Sequence, residues 1–141
     1  MERRYRLEPL RDVRARDERV KRNDLAVAVG DARATAEEVA AAQRRVEVAR
    51  EALAAARAAS GGASSAHVLA LADRYISRRR HALDNAVAEH ARTRAAHAGR
   101  MLAVDSARTT LTAARADKEI IERHFARWRE DQKKLTDRRE D

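Results

Sequence analysis

Residues 53–69 read LAAARAASGGASSAHVL, and the Ser60-Gly61-Gly62 near their centre separates two long heptad runs. Before it, Leu25, Ala32, Val39, Val46 and Leu53 recur every seven residues, each followed three places later by Ala28, Thr35, Ala42, Ala49 and Ala56. After it, Leu69, Ile76, Leu83, His90, His97, Val104 and Leu111 share one heptad position. Ala72, Arg79, Ala86, Thr93, Arg100, Ala107 and Ala114 follow three places later. Folding the chain back at the glycines pairs Ala56 with Leu69, Leu53 with Ala72, Ala49 with Ile76, Ala42 with Leu83 and Val39 with Ala86. A large residue against a small one in each layer lets two helices interdigitate without voids. The expected fold is all-α: a long antiparallel two-helix coiled-coil hairpin, a rod with a tip and an open end.

The composition suits a seam better than a globular core. Of 141 residues only 3% are aromatic and 38% are charged, and a two-helix hairpin buries one narrow stripe. Without cysteine there is neither a disulfide framework nor a thiolate metal site. No apolar run approaches the roughly 18 residues that span a bilayer. Met1-Glu2-Arg3-Arg4 carries no apolar signal core, so the expected location is cytoplasmic. The net charge of +8 and the pI near 10.8 raise the question of nucleic acid. The excess is spread out, however: residues 1–22 hold nine basic against five acidic side chains, and residues 74–100 hold seven against two. Solvated coiled-coil faces are the ordinary reading of such a pattern. A nucleic-acid-associated coiled coil stays as an alternative.

Pro9 is the only proline and stands where the first helix begins, where a proline loses no intrahelical bond. Helix 1 is expected over about 9–59, roughly 75 Å at 1.5 Å per residue. The turn falls at about 60–64, with glycine in the left-handed conformation closing helix 1. Helix 2 is expected over about 65–138, capped by Ser64 or Ser65. Near the open end the apolar pattern slips by one residue, pairing Val20 with Val104, Val13 with Leu111 and Leu10 with Ala114. A weak stretch lies between, where Leu25 faces Arg100, Ala28 faces His97 and Thr35 faces His90. Gly30 and Gly99 also fall there, each costing about 1 kcal/mol relative to alanine in a helix.

Few residues suggest chemistry. His90 and His97 are two helical turns apart, about 10.5 Å, whereas one ion needs ligands a single turn apart. No metal, cofactor or nucleophile–base set is expected, and Gly61-Gly62 lacks the flanking features of a phosphate loop. The chain does not read as an enzyme. In the tract Arg78-Arg79-Arg80-His81, Arg78 and Arg80 face solvent near the tip and are candidates for an acidic partner. Arg79 enters the seam opposite Val46 and extends its charge outward. At the other end Ile121, Phe125, Trp128 and Leu135 continue the second heptad beyond the end of helix 1, where Ile121 already faces Arg3. Phe125 and Trp128 are expected to lack an intrachain partner, which is what docking of a helix into a foreign groove requires. The alternatives are cover from a second copy or from residues 1–8.

The N-terminal Tyr5-Arg6-Leu7-Glu8-Pro9-Leu10, followed by Val13-Arg14 and Arg16, resembles the opening of the FliJ/YscO proteins. The end, Glu122-Arg123-His124-Phe125-Ala126-Arg127-Trp128-Arg129-Glu130, is similar to the charged, aromatic-containing end of that family. The likeness in length and architecture extends over nearly the whole chain; the glycine-rich tip, mid-rod glycines and seam histidines depart from the pattern. The resemblance implies a non-catalytic central stalk of a type III secretion or flagellar export apparatus, at the inner-membrane base. Such a stalk engages the centre of a hexameric secretion ATPase and bridges towards the export gate membrane protein. Some members also bind export chaperones. The ATPase-docking residues would be Leu7, Leu10, Arg14, Phe125, Arg127, Trp128 and Arg129. Beside this stand the nucleic-acid reading, marked by affinity that falls steeply with salt, and a structural homodimer.

Overall fold

A computed structural model describes residues 3–62 and 65–140. Helix α1 runs over Glu8–Ala59, a 3-10 turn over Ser60–Gly62, and helix α2 over Ala66–Glu140. The two long helices pack antiparallel on each other in an all-α helical hairpin. Each helix is built mainly from strong helix formers, and Pro9 lies within the first turn of α1. The first intrahelical bond of α1 runs from the Arg11 amide to the Leu7 carbonyl, at 2.9 Å. Ser65 caps α2: its hydroxyl accepts from the Val68 amide at 3.3 Å and its carbonyl from the Leu69 amide at 2.9 Å. The alternative cap, Ser64, lies outside the described residues, as does the end of the expected turn. Among the described residues no glycine has a positive φ, so α1 does not close on a left-handed glycine. It tightens into the 3-10 turn instead, where the Ser60 hydroxyl donates to the Arg57 carbonyl at 2.8 Å. No helix is long and apolar enough to cross a membrane among the described residues.

The helices contribute to two compact units: unit one is Met1–Val29 with Ala103–Asp141, and unit two is Gly30–Leu102. In unit two, Ala32, Ala42, Val46, Leu53 and Ala56 form the buried stripe of α1. Its register differs from the expected one by a whole heptad. The Thr35 hydroxyl meets Nδ1 of His97 at 2.9 Å and Asp31 pairs with Arg100 at 3.6 Å, so His90 is not the partner of Thr35. Leu69, expected against Ala56, is 52% exposed. Stepping by heptads from Thr35 and His97 sets Ala49 against Leu83, Val46 against Ala86, Ala56 against Ile76 and Leu53 against Arg79. A large residue still faces a small one in most layers, which is why the periodicity could not distinguish the two registers. The Thr35–His97 contact decides between them, and the first residues of α2, from Ala66 to Leu71, are exposed. Cysteines at Thr35 and His97 are expected to form a disulfide within one chain under mild oxidation. Cysteines at Thr35 and His90, about 10 Å out of step, are not. The opposite result would restore the shorter pairing.

Unit one overturns the expected slip. The α2 side of its seam is apolar, with Val104, Leu111, Ala114 and Ile121 buried. Ile121 is therefore covered and does not stand opposite a bare Arg3. On α1 the stripe keeps its three–four spacing from Ala32 back through Ala28, Leu25, Lys21, Glu18, Arg14 and Arg11, all half-buried or buried. Leu10, Val13 and Val20, expected inside, remain 39%, 52% and 48% exposed. A slip by one residue would rotate α1 by about 100°. The helix keeps its phase, so half-buried Arg11, Arg14 and Lys21 and buried Glu18 occupy its seam-side positions, where long side chains can bury hydrocarbon and still solvate their charges.

Candidate partner-docking face

Unit one holds every residue expected to dock the ATPase, and three features build it: an aromatic cluster, a ladder of ion pairs and an exposed apolar line. The cluster begins with Tyr5, which precedes α1 and is only 7% exposed. Its ring lies 5.0 Å from Phe125, edge-on, and 5.3 Å from Trp128. Its hydroxyl shares a 2.7 Å hydrogen bond with Nδ1 of His124. Phe125 and Trp128 stack at 5.8 Å, and the Arg11 guanidinium sits 3.9 Å above the Phe125 ring. The Arg129 guanidinium lies 5.9 Å from the same ring. Phe125 and Trp128 are thus half-buried and have an intrachain partner, contrary to expectation. Residues before the first helix supply it: Tyr5, whose carbonyl accepts from the Glu8 amide at 3.2 Å, lays its ring on a stripe that α1 begins too late to cover. Burial raises the Tyr5 phenol above its ordinary pKa, opposed by the charge of Arg11.

The ladder crosses the seam beside the cluster. Arg11 Nε donates to Glu122 at 2.9 Å and its Nη1 to Glu8 at 3.3 Å; the bond to Glu122 raises the Arg11 pKa further. Arg14 donates to Asp117 at 3.2 Å. Glu18 is the one buried charged residue among those described, and it accepts from Arg22 on its own helix and from Arg115 across the seam. The half-exposed pairs of Arg11 and Arg14 contribute about 0–1 kcal/mol each, so they orient the helices more than they stabilise them. The Arg22 hydrogen bond leads in holding the Glu18 carboxyl below the ordinary carboxylate range, against the opposing effect of burial. A carboxylate with a lowered folded pKa stabilises fully above its unfolded pKa, about 4.3, and loses that contribution as pH falls through the folded value. Glu18→Gln is expected to melt lower than the parent chain at pH 7. The gap should narrow between pH 5 and the acid limit, read by thermal melts across that range; a gap independent of pH would remove Glu18 from the acid response.

The third feature is what the seam leaves out. Leu10, Val13 and Val20 are spaced by three and seven, so they share one face of α1, and Leu7, also exposed, adjoins it. Arg14 is tied to Asp117, while Arg127 is exposed and forms no ion pair among the described residues. Arg78 and Arg80 belong to unit two, where both are exposed and the Arg78 guanidinium lies 5.8 Å from the Tyr75 ring. Sequence reasoning missed four contributors: Tyr5, His124, Arg11 and Glu18. Counting sevens back from Ala32 would have found Glu18 and Arg11; nothing in the periodicity points to Tyr5 or His124. Compared with protein families, with curated proteins and with solved structures, the chain finds no match in any of the three.

Proposed function

We propose that this chain is a non-catalytic stalk of a type III secretion or flagellar export apparatus. It binds and regulates the hexameric secretion ATPase and links it to the export gate, with export chaperones as further partners. The observation that carries the reading is the apolar line Leu7, just before α1, and Leu10, Val13 and Val20 on it, left in water while charged residues take the seam-side positions. An apolar row on one helical face is the element that helix-in-groove recognition uses. The resemblance of the first and last segments to FliJ/YscO proteins supplies the identity of the groove. Phe125 and Trp128 contribute the partly open side of their cluster, and Arg127 and Arg129 provide charge at its rim. On this reading the protein works in the cytoplasm, at the inner-membrane base of the apparatus.

The test is direct binding to a purified secretion ATPase hexamer, with stimulation of ATP hydrolysis as a second readout. Serine at Leu10, Val13 and Val20 is expected to weaken binding about a hundredfold and to reduce the stimulation with it. Arg78→Glu with Arg80→Glu is expected to spare ATPase binding. Binding to duplex DNA with a steep salt dependence, and none to the ATPase, would replace the stalk with a nucleic-acid-associated coiled coil.

A further inference from the structure

Unit two contains a hollow along one edge of the seam that the stalk reading does not require. It lies between α1 and α2, with a volume of about 510 Å³. Its floor is Ala41, Ala49 and Ala52 of α1 with Ala82 and Ala86 of α2. Val48 forms part of the wall and is 65% exposed. The only charged groups lining it are Arg44, Arg45 and Arg79, and none of the three pairs with a carboxylate among the described residues. Arg79 is held in place: its Nε and Nη2 both donate to the Tyr75 hydroxyl, at 3.1 and 2.9 Å.

We propose that this arginine-rimmed hollow is a docking groove for an acidic amphipathic helix of a partner protein. Alanine floors let a third helix approach closely, because no long side chain holds it off. The floor from Ala41 to Ala52 extends about 16 Å, three helical turns. The matching occupant presents a row of apolar side chains to the alanines and Val48, with glutamate or aspartate alongside to meet the guanidinium groups. Unpaired arginines at the rim of an apolar groove select for that charge and against its reverse. A second copy of this chain fits poorly, since it brings a further net charge of +8. Nucleic acid offers phosphates without an apolar stripe, so it matches the rim and leaves the floor uncovered.

The probe is a fluorescein-labelled synthetic helix of eighteen residues, with leucines at i, i+3, i+4 and i+7 flanked by glutamates. Its anisotropy is followed on titration with the full chain. Saturable binding is expected, weakened about tenfold or more by Arg44→Glu/Arg45→Glu and, separately, by Arg79→Glu. Ala82→Trp, which fills the hollow from an exposed position and leaves the rim charges in place, is expected to weaken it comparably. Circular dichroism confirms that each variant is folded; if Arg79→Glu unfolds, Ala82→Trp and the double variant still decide the matter. A lysine-flanked version of the probe should not bind. No binding of the acidic helix, or binding by the Ala82→Trp and arginine variants as tight as that of the parent chain, overturns the proposal. Displacement of the probe by single-stranded DNA at equal affinity would assign the groove to nucleic acid.

Discussion

Serine at Leu10, Val13 and Val20 is expected to leave the hairpin folded while weakening its binding to the secretion ATPase about a hundredfold. All three side chains are exposed in unit one, so their removal takes little from the intrachain seam, and the change in helix propensity is a few tenths of a kcal/mol per site. If a partner groove covers them, each loses about 1 kcal/mol or more of apolar burial when truncated. Three such losses multiply to the stated factor at 1.4 kcal/mol per tenfold. Helicity and melting temperature report the fold; titration against the hexamer reports the function. Unchanged binding by a folded variant would move the docking surface off this face.

Replacing Phe125 and Trp128 together by alanine is expected to act on the fold before it acts on any partner. Tyr5 rests on both rings and Arg11 on one of them, so the double substitution leaves a buried tyrosine with the His124 ring alone of its three described ring neighbours. Large-to-small changes at aromatic sites commonly cost 3–5 kcal/mol when fully buried. These rings are half-buried, and about 3 kcal/mol for the pair is the expected loss, seen as a lower urea midpoint. Tyr5→Phe removes only the hydrogen bond to His124 and should cost about 1 kcal/mol. If the double variant melts like the parent, the cluster is an incidental contact and the rings are free for a partner after all.

The spacing of apolar residues carried the fold class and both helices, because burial in a two-helix seam follows a period of seven and little else. It left two matters open, each for a physical reason. A repeat of seven is indifferent to a shift of seven, so Thr35 could pair with His90 or His97 on the pattern alone, and only the packed helices show that it meets His97. In unit one, hydrophobicity pointed to Leu10, Val13 and Val20 as the seam. Phase continuity placed Arg11, Arg14, Glu18 and Lys21 there instead, because long charged side chains bury their stems and still solvate their heads. The candidate docking residues were readable as types, but their surroundings were not: Tyr5 lies outside the heptads, and its contact with Phe125, Trp128 and His124 depends on where the backbone runs before α1.

A pairing that repeats every seven residues also governs how such a chain can lengthen or shorten. Seven residues added to α1 between Ala32 and Val46, matched by seven in α2 between Ala86 and Arg100, leave every side chain on its own face. An unmatched insertion of three or four is absorbed as a local change of winding. One or two residues turn everything beyond them by about 100–200° and expose the seam. Length in this protein is therefore a quantity that changes in blocks, with both arms moving together.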